Sequence, residues 1–142
     1  MENTINQLKE YLIKHNIKPS TIRLKILEYL FNNPIHPAAD DIYKNLLGQV
    51  PTLSKTSVYN TMDLFAGKGV VKVIFLDEKG ARYDINTHLH GHFKCRMCGR
   101  IHDFPIPRDI LTPQELKGFS TNDIDINFYG VCQNCNNKEG KV

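Results

Sequence analysis

PTLSKTSVYNTMDLFAGKGVVKVIFLDEKGARYDI, residues 51–85, changes its periodicity half-way along. Val58, Met62 and Phe65 recur at three- and four-residue spacing, which gives a helix one apolar stripe. Thr52 or Ser54 can cap the start of that helix, and Gly67 or Gly69 can end it. From Val70 the pattern shifts. VVKVIF is rich in β-branched residues, DEKG is a turn, and ARYDI is a second short strand, so a β-hairpin follows the helix. Short helices leading into a helix and then a hairpin are the order of a winged helix-turn-helix. In that architecture the helix before the hairpin lies in the DNA major groove.

Upstream, Ile5, Leu8 and Leu12 predict a first amphipathic helix. A second should begin after Lys18-Pro19-Ser20, face inward through Ile22, Ile26, Leu27 and Leu30, and stop around Asn32-Asn33-Pro34. A third is expected to start near Pro37, run through Ile42 and Leu46, and use Gly48 as its C-terminal cap. Beyond residue 85 the composition changes. GRIHDF predicts a short strand and TPQELKGF a small helix with Thr112 and Glu115 at capping-box spacing. Alternating Ile124, Ile126 and Phe128 predict a half-buried strand, and the last residues of YGVCQNCNNKEGKV should fray. The expected class is α+β: a winged helix-turn-helix over 1–82, a hinge at about 80–86, and a small α/β domain over 83–142.

Composition narrows the function classes. The chain has 142 residues, 41% hydrophobic, and no run near the ~18 apolar residues of a membrane span. Its start, MENTINQLKEYLIKH, lacks the apolar centre of a secretion signal, so a cytoplasmic location is the default expectation. A net charge of +3 permits nucleic-acid binding without arguing for it. In a reducing compartment four cysteines point to metal ligands or catalytic thiols rather than disulfides.

THLHGHFKCRMCGRIHDF, residues 87–104, holds four of the six histidines and two of the four cysteines. Cys95 and Cys98 form one CxxC knuckle, Cys132 and Cys135 another. Two such turns complete a tetrahedral S4 shell suited to Zn²⁺, closed to substrate and therefore structural. The competing reading is two redox dithiols, but neither knuckle starts a helix in a βαβ context. On an extended strand His88, His90 and His92 share a face. A hairpin folded about the knuckle without a bulge would put Asp103 opposite His90 and Ile101 opposite His92, with His102 facing away. Such an N/O donor set suits Fe²⁺, Mn²⁺ or Zn²⁺, although a histidine-rich strand edge can also be simply solvated. His15 reads as a surface residue on its helix, and His36 alone carries no signal.

The run HPAADDIYKNL, the helix LSKTSVYNTMDLF, the strand RYDI, the stretch HLHGHFKCRMCGRIHDF and the ending YGVCQNC occur in the order found in the ferric uptake regulator family. The resemblance covers nearly the whole chain. It implies a winged-helix DNA-binding domain, a hinge and an α/β dimerisation domain, acting as a homodimeric, metal-dependent repressor. It implies structural zinc on Cys95, Cys98, Cys132 and Cys135, and a regulatory Fe²⁺ or Mn²⁺ site on His36, Asp84, His90, His92 and Asp103. Aspartate at both 84 and 103 is more similar to the family's peroxide-sensing (PerR-type) branch than to the iron-uptake branch. In that branch bound Fe²⁺ reacts with H₂O₂ and a ligating histidine is oxidised, which would make His36 and His90 the candidates here. An iron-responsive regulator, or less closely a zinc- or manganese-responsive one, is the rival within the family.

Two departures stand out. TNDIDINFYG has no histidine for the further metal site of the iron-uptake branch, and Ser20-Thr21-Ile22-Arg23 replaces the common TPQR. On the recognition helix, Ser54, Lys55, Thr56, Ser57, Tyr59 and Asn60 form the expected DNA-facing group. Lys55 suits a phosphate and Asn60 a base edge, whereas Tyr59 could equally be packing core. The helix lacks arginine, the strongest guanine reader, so an A·T-rich, palindromic operator is expected. Outside the family the alternatives are a thiol redox or metal-dependent enzyme and a constitutive DNA-binding module. An enzyme needs an open metal position, a pocket and a poised acid or base. The sequence offers no HExxH, no glycine-rich loop and no nucleophile beyond the four thiols.

Overall fold

The computed structural model describes residues 4–138, which divide into two compact units, the first ending at Thr87 and the second beginning at His88. The first unit runs α1 (Ile5–Lys14), α2 (Thr21–Asn32), α3 (Ala39–Leu46), α4 (Lys55–Gly67), β1 (Lys72–Phe75) and β2 (Ala81–Asp84). Each helix starts where a short polar side chain can take up an orphan N–H. Thr4 and Gln7 make a reciprocal capping box on α1, Ser20 caps α2, and Ser54 caps α4. Asp41 reaches back to accept the Ala38 N–H at 3.0 Å and so caps α3. The apolar stripes meet in one core in which Leu12, Ile26, Leu27, Ile42, Val58, Met62, Phe65 and Val70 are fully buried. Each such side chain contributes about 1.5–3 kcal/mol over leaving it in water.

Three details differ from the sequence expectation. Ile5 is 62% exposed, because the first turn of α1 overhangs the core and the stripe rests on Leu8 and Leu12. The third helix begins at Ala39, two residues after Pro37, because His36 sits at φ +59° and breaks helical geometry just ahead of it. Gly48 is not a left-handed cap. The Leu46 carbonyl accepts the N–H groups of both Gln49 and Val50, so the helix closes without one. Gly69, at φ +78°, does follow α4 in the left-handed region, which glycine occupies at little cost. β1 and β2 then pair antiparallel, Val73 opposite Tyr83 and Phe75 opposite Ala81.

In the second unit β3 (Gly91–Cys95) lies between β4 (Ile101–Phe104), antiparallel, and β5 (Asn127–Gly130), parallel. A short helix, α5 (Gln133–Lys138), begins inside the second cysteine knuckle, which the sequence reading did not expect; among the described residues no strand follows it, so the βαβ context of a redox dithiol is still missing. TPQELKGF makes only one 3₁₀ turn, Gln114–Leu116, and the Thr112–Glu115 box is not used. Gly118 at φ +86° ends the coil after that turn. Ladder pairing of the alternating stretch starts at Asn127, later than its periodicity predicts; ahead of it the Ile126 carbonyl accepts the His92 N–H at 3.0 Å. The terminal residues expected to fray, 139–142, lie outside the described residues. Among the described residues no helix is long and apolar enough to cross a membrane.

Candidate metal centres and nucleic-acid face

The cysteine centre lies wholly in the second unit. Cys95 ends β3, Cys98 lies in the following turn, and Cys132 and Cys135 flank the start of α5. All four sulfurs lie within 4.8 Å of one another. Cys95 Sγ is 3.8 Å from Cys135 Sγ, and Cys98 Sγ is 3.8 Å from Cys132 Sγ. Both distances far exceed a disulfide's ~2.05 Å. They match the ~3.8 Å edge of a tetrahedron whose corners lie about 2.3 Å from a zinc ion. The N–H groups of Cys132 and Cys98 donate to Cys95 Sγ at 3.3 and 3.5 Å. These two donors, Cys132 first, pull the Cys95 thiol down to about 5. Cys135 is pushed up to about 12, chiefly by its hydrogen bond to Cys132 and by burial. Four clustered thiols cannot all ionise by themselves; a bound dication removes that conflict and fits this donor set.

The hairpin register puts His92 opposite Asp103, and Lys94 opposite Ile101. This is a two-residue shift from the expected pairing of His90 with Asp103 and His92 with Ile101. The cause lies in the knuckle. Cys95 N–H donates to the Arg100 carbonyl, so four residues fill the turn, with Gly99 left-handed at φ +77°. A shift of two keeps each side chain on its face. His90 Nε2 therefore still lies 3.5 Å from Asp103 Oδ2, and His92 Nε2 3.7 Å from Asp103 Oδ1. His102 faces the other side, opposite Phe93, with ring centroids 6.4 Å apart. His88, which sequence reasoning left without a role, offers its carbonyl to His90 Nδ1 at 2.7 Å. A carbonyl only accepts, so Nδ1 is the donor in that contact, and Nε2 is the nitrogen that faces Asp103.

The first unit holds its own pair. His36 Nε2 is 3.3 Å from Asp84 Oδ2, both residues being only 4% exposed. Asp84 Oδ1 accepts the Asn86 N–H at 2.9 Å, which fixes the carboxylate plane. His36 is one of two described non-glycine residues at positive φ. That conformation costs of order 1–3 kcal/mol and persists only where neighbours enforce it. Arg82 donates to the His36 carbonyl at 2.9 Å, a contact that nothing in the RYDI motif signals. Both units thus present imidazole nitrogens beside a carboxylate, an N/O set that suits Fe²⁺, Mn²⁺ or Zn²⁺.

On α4, Lys55, Thr56, Ser57, Tyr59 and Asn60 are exposed, and Val58, Met62 and Phe65 are buried. Tyr59 is 45% exposed and is not core. Ser54 and Ser57 are committed to the cap: Ser54 Oγ accepts the Ser57 N–H at 3.1 Å and donates to Ser57 Oγ at 2.9 Å. Lys55 lies 3.6 Å from Asp40 and over the Tyr43 ring. His15, half-buried, hydrogen-bonds the Tyr11 carbonyl through Nδ1 at 2.8 Å, with no ligand role.

The ferric uptake regulator family matches residues 14–129. The chain belongs to that family. Among relatives, the peroxide operon regulator of Bacillus subtilis is 38% identical over 142 residues, covering 94% of this chain and 97% of that one. A family structure from Francisella tularensis, a ferric uptake regulator with iron, superposes with a TM-score of 0.71 at 27% identity, covering 84% of this chain and 94% of that one. The peroxide-sensing gene regulator PerR of Streptococcus pyogenes superposes with a TM-score of 0.51 at 26% identity, covering 94% and 93%.

Proposed function

We propose that this family member is a metal-dependent, DNA-binding transcriptional repressor that senses hydrogen peroxide. It works as a homodimer, the first unit binding DNA and the second holding the dimer together. Structural Zn²⁺ sits on Cys95, Cys98, Cys132 and Cys135. Regulatory Fe²⁺ or Mn²⁺ takes His36 and Asp84 from the first unit and His90, His92 and Asp103 from the second. The observation that carries the reading is the separation of donor types: a closed S4 shell on one side, and imidazole–carboxylate pairs at 3.3 to 3.7 Å on the other. A site left with N/O donors can exchange its metal; a four-thiolate shell holds zinc permanently.

A site assembled from both units binds its ion only when the units are correctly posed, so occupancy selects that pose. In a dimer the pose sets the spacing of two recognition helices against two half-sites. Lys55 then supplies a phosphate contact, Tyr59 a thymine methyl or phosphate contact and Asn60 a base-edge or backbone contact, with Thr56 beside them and Ser54 and Ser57 holding the helix end. The operator is A·T-rich and palindromic. Fe²⁺ held there would supply the one-electron reduction that cleaves H₂O₂ beside the ligating imidazoles, one peroxide oxygen ending on an imidazole ring carbon and the other leaving as water; Mn²⁺ would not. His36 and His90 are the candidates for that modification; an oxidised ring would lose donor strength, release the pose and let go of DNA.

Mass spectrometry of Fe²⁺-loaded protein after H₂O₂ treatment tests the reading. One added oxygen is expected on a peptide containing His36 or His90, and none on the Mn²⁺-loaded protein. Oxygen confined to cysteine and methionine would point instead to an iron-responsive regulator of the same family.

A further inference from the structure

Arg82 is a charged side chain on a strand of the first unit, yet it is only 8% exposed. Its guanidinium is used on two sides. Nη1 donates to the His36 carbonyl at 2.9 Å, while Nε and Nη2 grip the Asp77 carboxylate at 3.2 and 2.6 Å. Asp77 opens the turn of the β1–β2 wing, where its side chain accepts the Lys79 N–H at 3.1 Å and its carbonyl accepts the Gly80 N–H at 3.4 Å. Two further ties run parallel to this one. Tyr83 N–H donates to the Pro37 carbonyl at 2.9 Å, and Asp41 both caps Ala38 and pairs with Lys79 at 3.4 Å. The backbone from His36 to Ala38 is therefore stitched to the wing at three places, and Arg82 makes the stitch at the left-handed residue itself.

We propose that Arg82 is a positioning residue that holds His36 in its left-handed conformation and couples the metal site to the wing turn at Asp77–Gly80. Filling the site then stiffens the wing, and by linkage a wing fixed on DNA tightens the metal. Only arginine can do this here, because its planar fork reaches a carboxylate on one edge and a carbonyl on the other, whereas a lysine ammonium is a point charge. The inference rests on His36 being a metal ligand.

The test uses the full-length, zinc-loaded protein with Mn²⁺ as probe. Mn²⁺ affinity is titrated for the wild type, Arg82→Lys, Asp77→Asn and His36→Ala, and amide exchange across residues 77–82 is followed with and without Mn²⁺. Arg82→Lys should weaken Mn²⁺ binding about 10–100-fold, the range seen when an outer-shell partner is lost. Mn²⁺ should slow exchange at Lys79 and Gly80 in the wild type and leave it unslowed in Arg82→Lys. Asp77→Asn, which spares the arginine, should move both readouts the same way and carries the test should Arg82→Lys fail to fold. Mn²⁺ affinity within about twofold of wild type in Arg82→Lys and Asp77→Asn, with His36→Ala impaired, overturns the coupling alone. Unchanged affinity in His36→Ala overturns the ligand reading and the coupling with it.

Discussion

The cysteine centre and the imidazole–carboxylate group of His90, His92 and Asp103 meet at one hairpin but are built in opposite ways. Cys95 and Cys98 are three residues apart, as are Cys132 and Cys135, and each tight turn aims its own pair of sulfurs. Little of the surrounding fold is needed to form either half. The donors proposed for the regulatory ion are dispersed: His36 stands before α3, Asp84 ends β2, His90 precedes β3, His92 lies on β3 and Asp103 on β4. Their imidazoles meet carboxylates only because strands pair in one register and His36 takes a left-handed conformation. A local chelate suits a permanent fastening, since it forms as soon as its segment folds. A dispersed set suits a sensor, since its affinity depends on how the whole protein is arranged.

The largest expected effect separates the two centres. Cys132→Ser should remove the zinc and with it a metal contribution that reaches about 10–16 kcal/mol in small zinc domains. Amide protection of β3 and β5 should vanish, while the α2 and α4 core of the first unit stays protected. His90→Ala should do the reverse: zinc content unchanged, Mn²⁺ affinity down by more than about 100-fold, beyond an outer-shell loss. If β3 stays protected in Cys132→Ser, the cysteine shell is not the fastening of the second unit.

Acid titration sharpens the same contrast. Cys95 has its thiol lowered to about 5 by the N–H groups of Cys132 and Cys98. A depressed acidic group contributes stability above its unfolded value, and that contribution is lost as pH falls through the folded value. Zinc binding needs the thiolates, so zinc should be retained from pH 8 to 6 and released only below about 5, where Cys95 takes up its proton even without the ion. An ion held by nitrogen and oxygen donors exchanges more readily than one held by four thiolates, so Mn²⁺ should leave first. Zinc loss already complete at pH 7 would contradict the arrangement of donors around Cys95.

Legibility in the sequence follows the same division. The zinc shell could be read from CRMC and CQNC because local turns determine it. The winged helix was legible in the change of period at Val70, since burial of one face imposes periodicity. The hairpin register was not, because the residues filling the turn depend on Cys95 pairing with Arg100 rather than on any pattern. His36 alone looked inert; only its likeness to a family motif marked it. Arg82 carries no signal within RYDI, since a buried arginine is recognised by its partners, Asp77 and the His36 carbonyl, and not by its spacing.

A smaller effect probes how tightly the register is pinned. Gly91 lies opposite Phe104, and a methyl group there would land on the Phe104 ring. Gly91→Ala should cost about 1–3 kcal/mol of stability, the usual range for overpacking. It should also weaken Mn²⁺ modestly, because Phe104 and Asp103 are neighbours on β4. A variant as stable as wild type would mean that Phe104 swings aside freely.

The most direct test is metal-dependent DNA binding by the zinc-loaded protein. A palindromic duplex selected from a random pool by the Mn²⁺-loaded form serves as the operator, at one fixed salt concentration. Binding should require Fe²⁺ or Mn²⁺, should be lost by the Fe²⁺ form after H₂O₂, should persist in the Mn²⁺ form, and should fail in His36→Ala and His90→Ala. Equal affinity with and without the second metal, before and after peroxide, would contradict a regulatory site on these five residues.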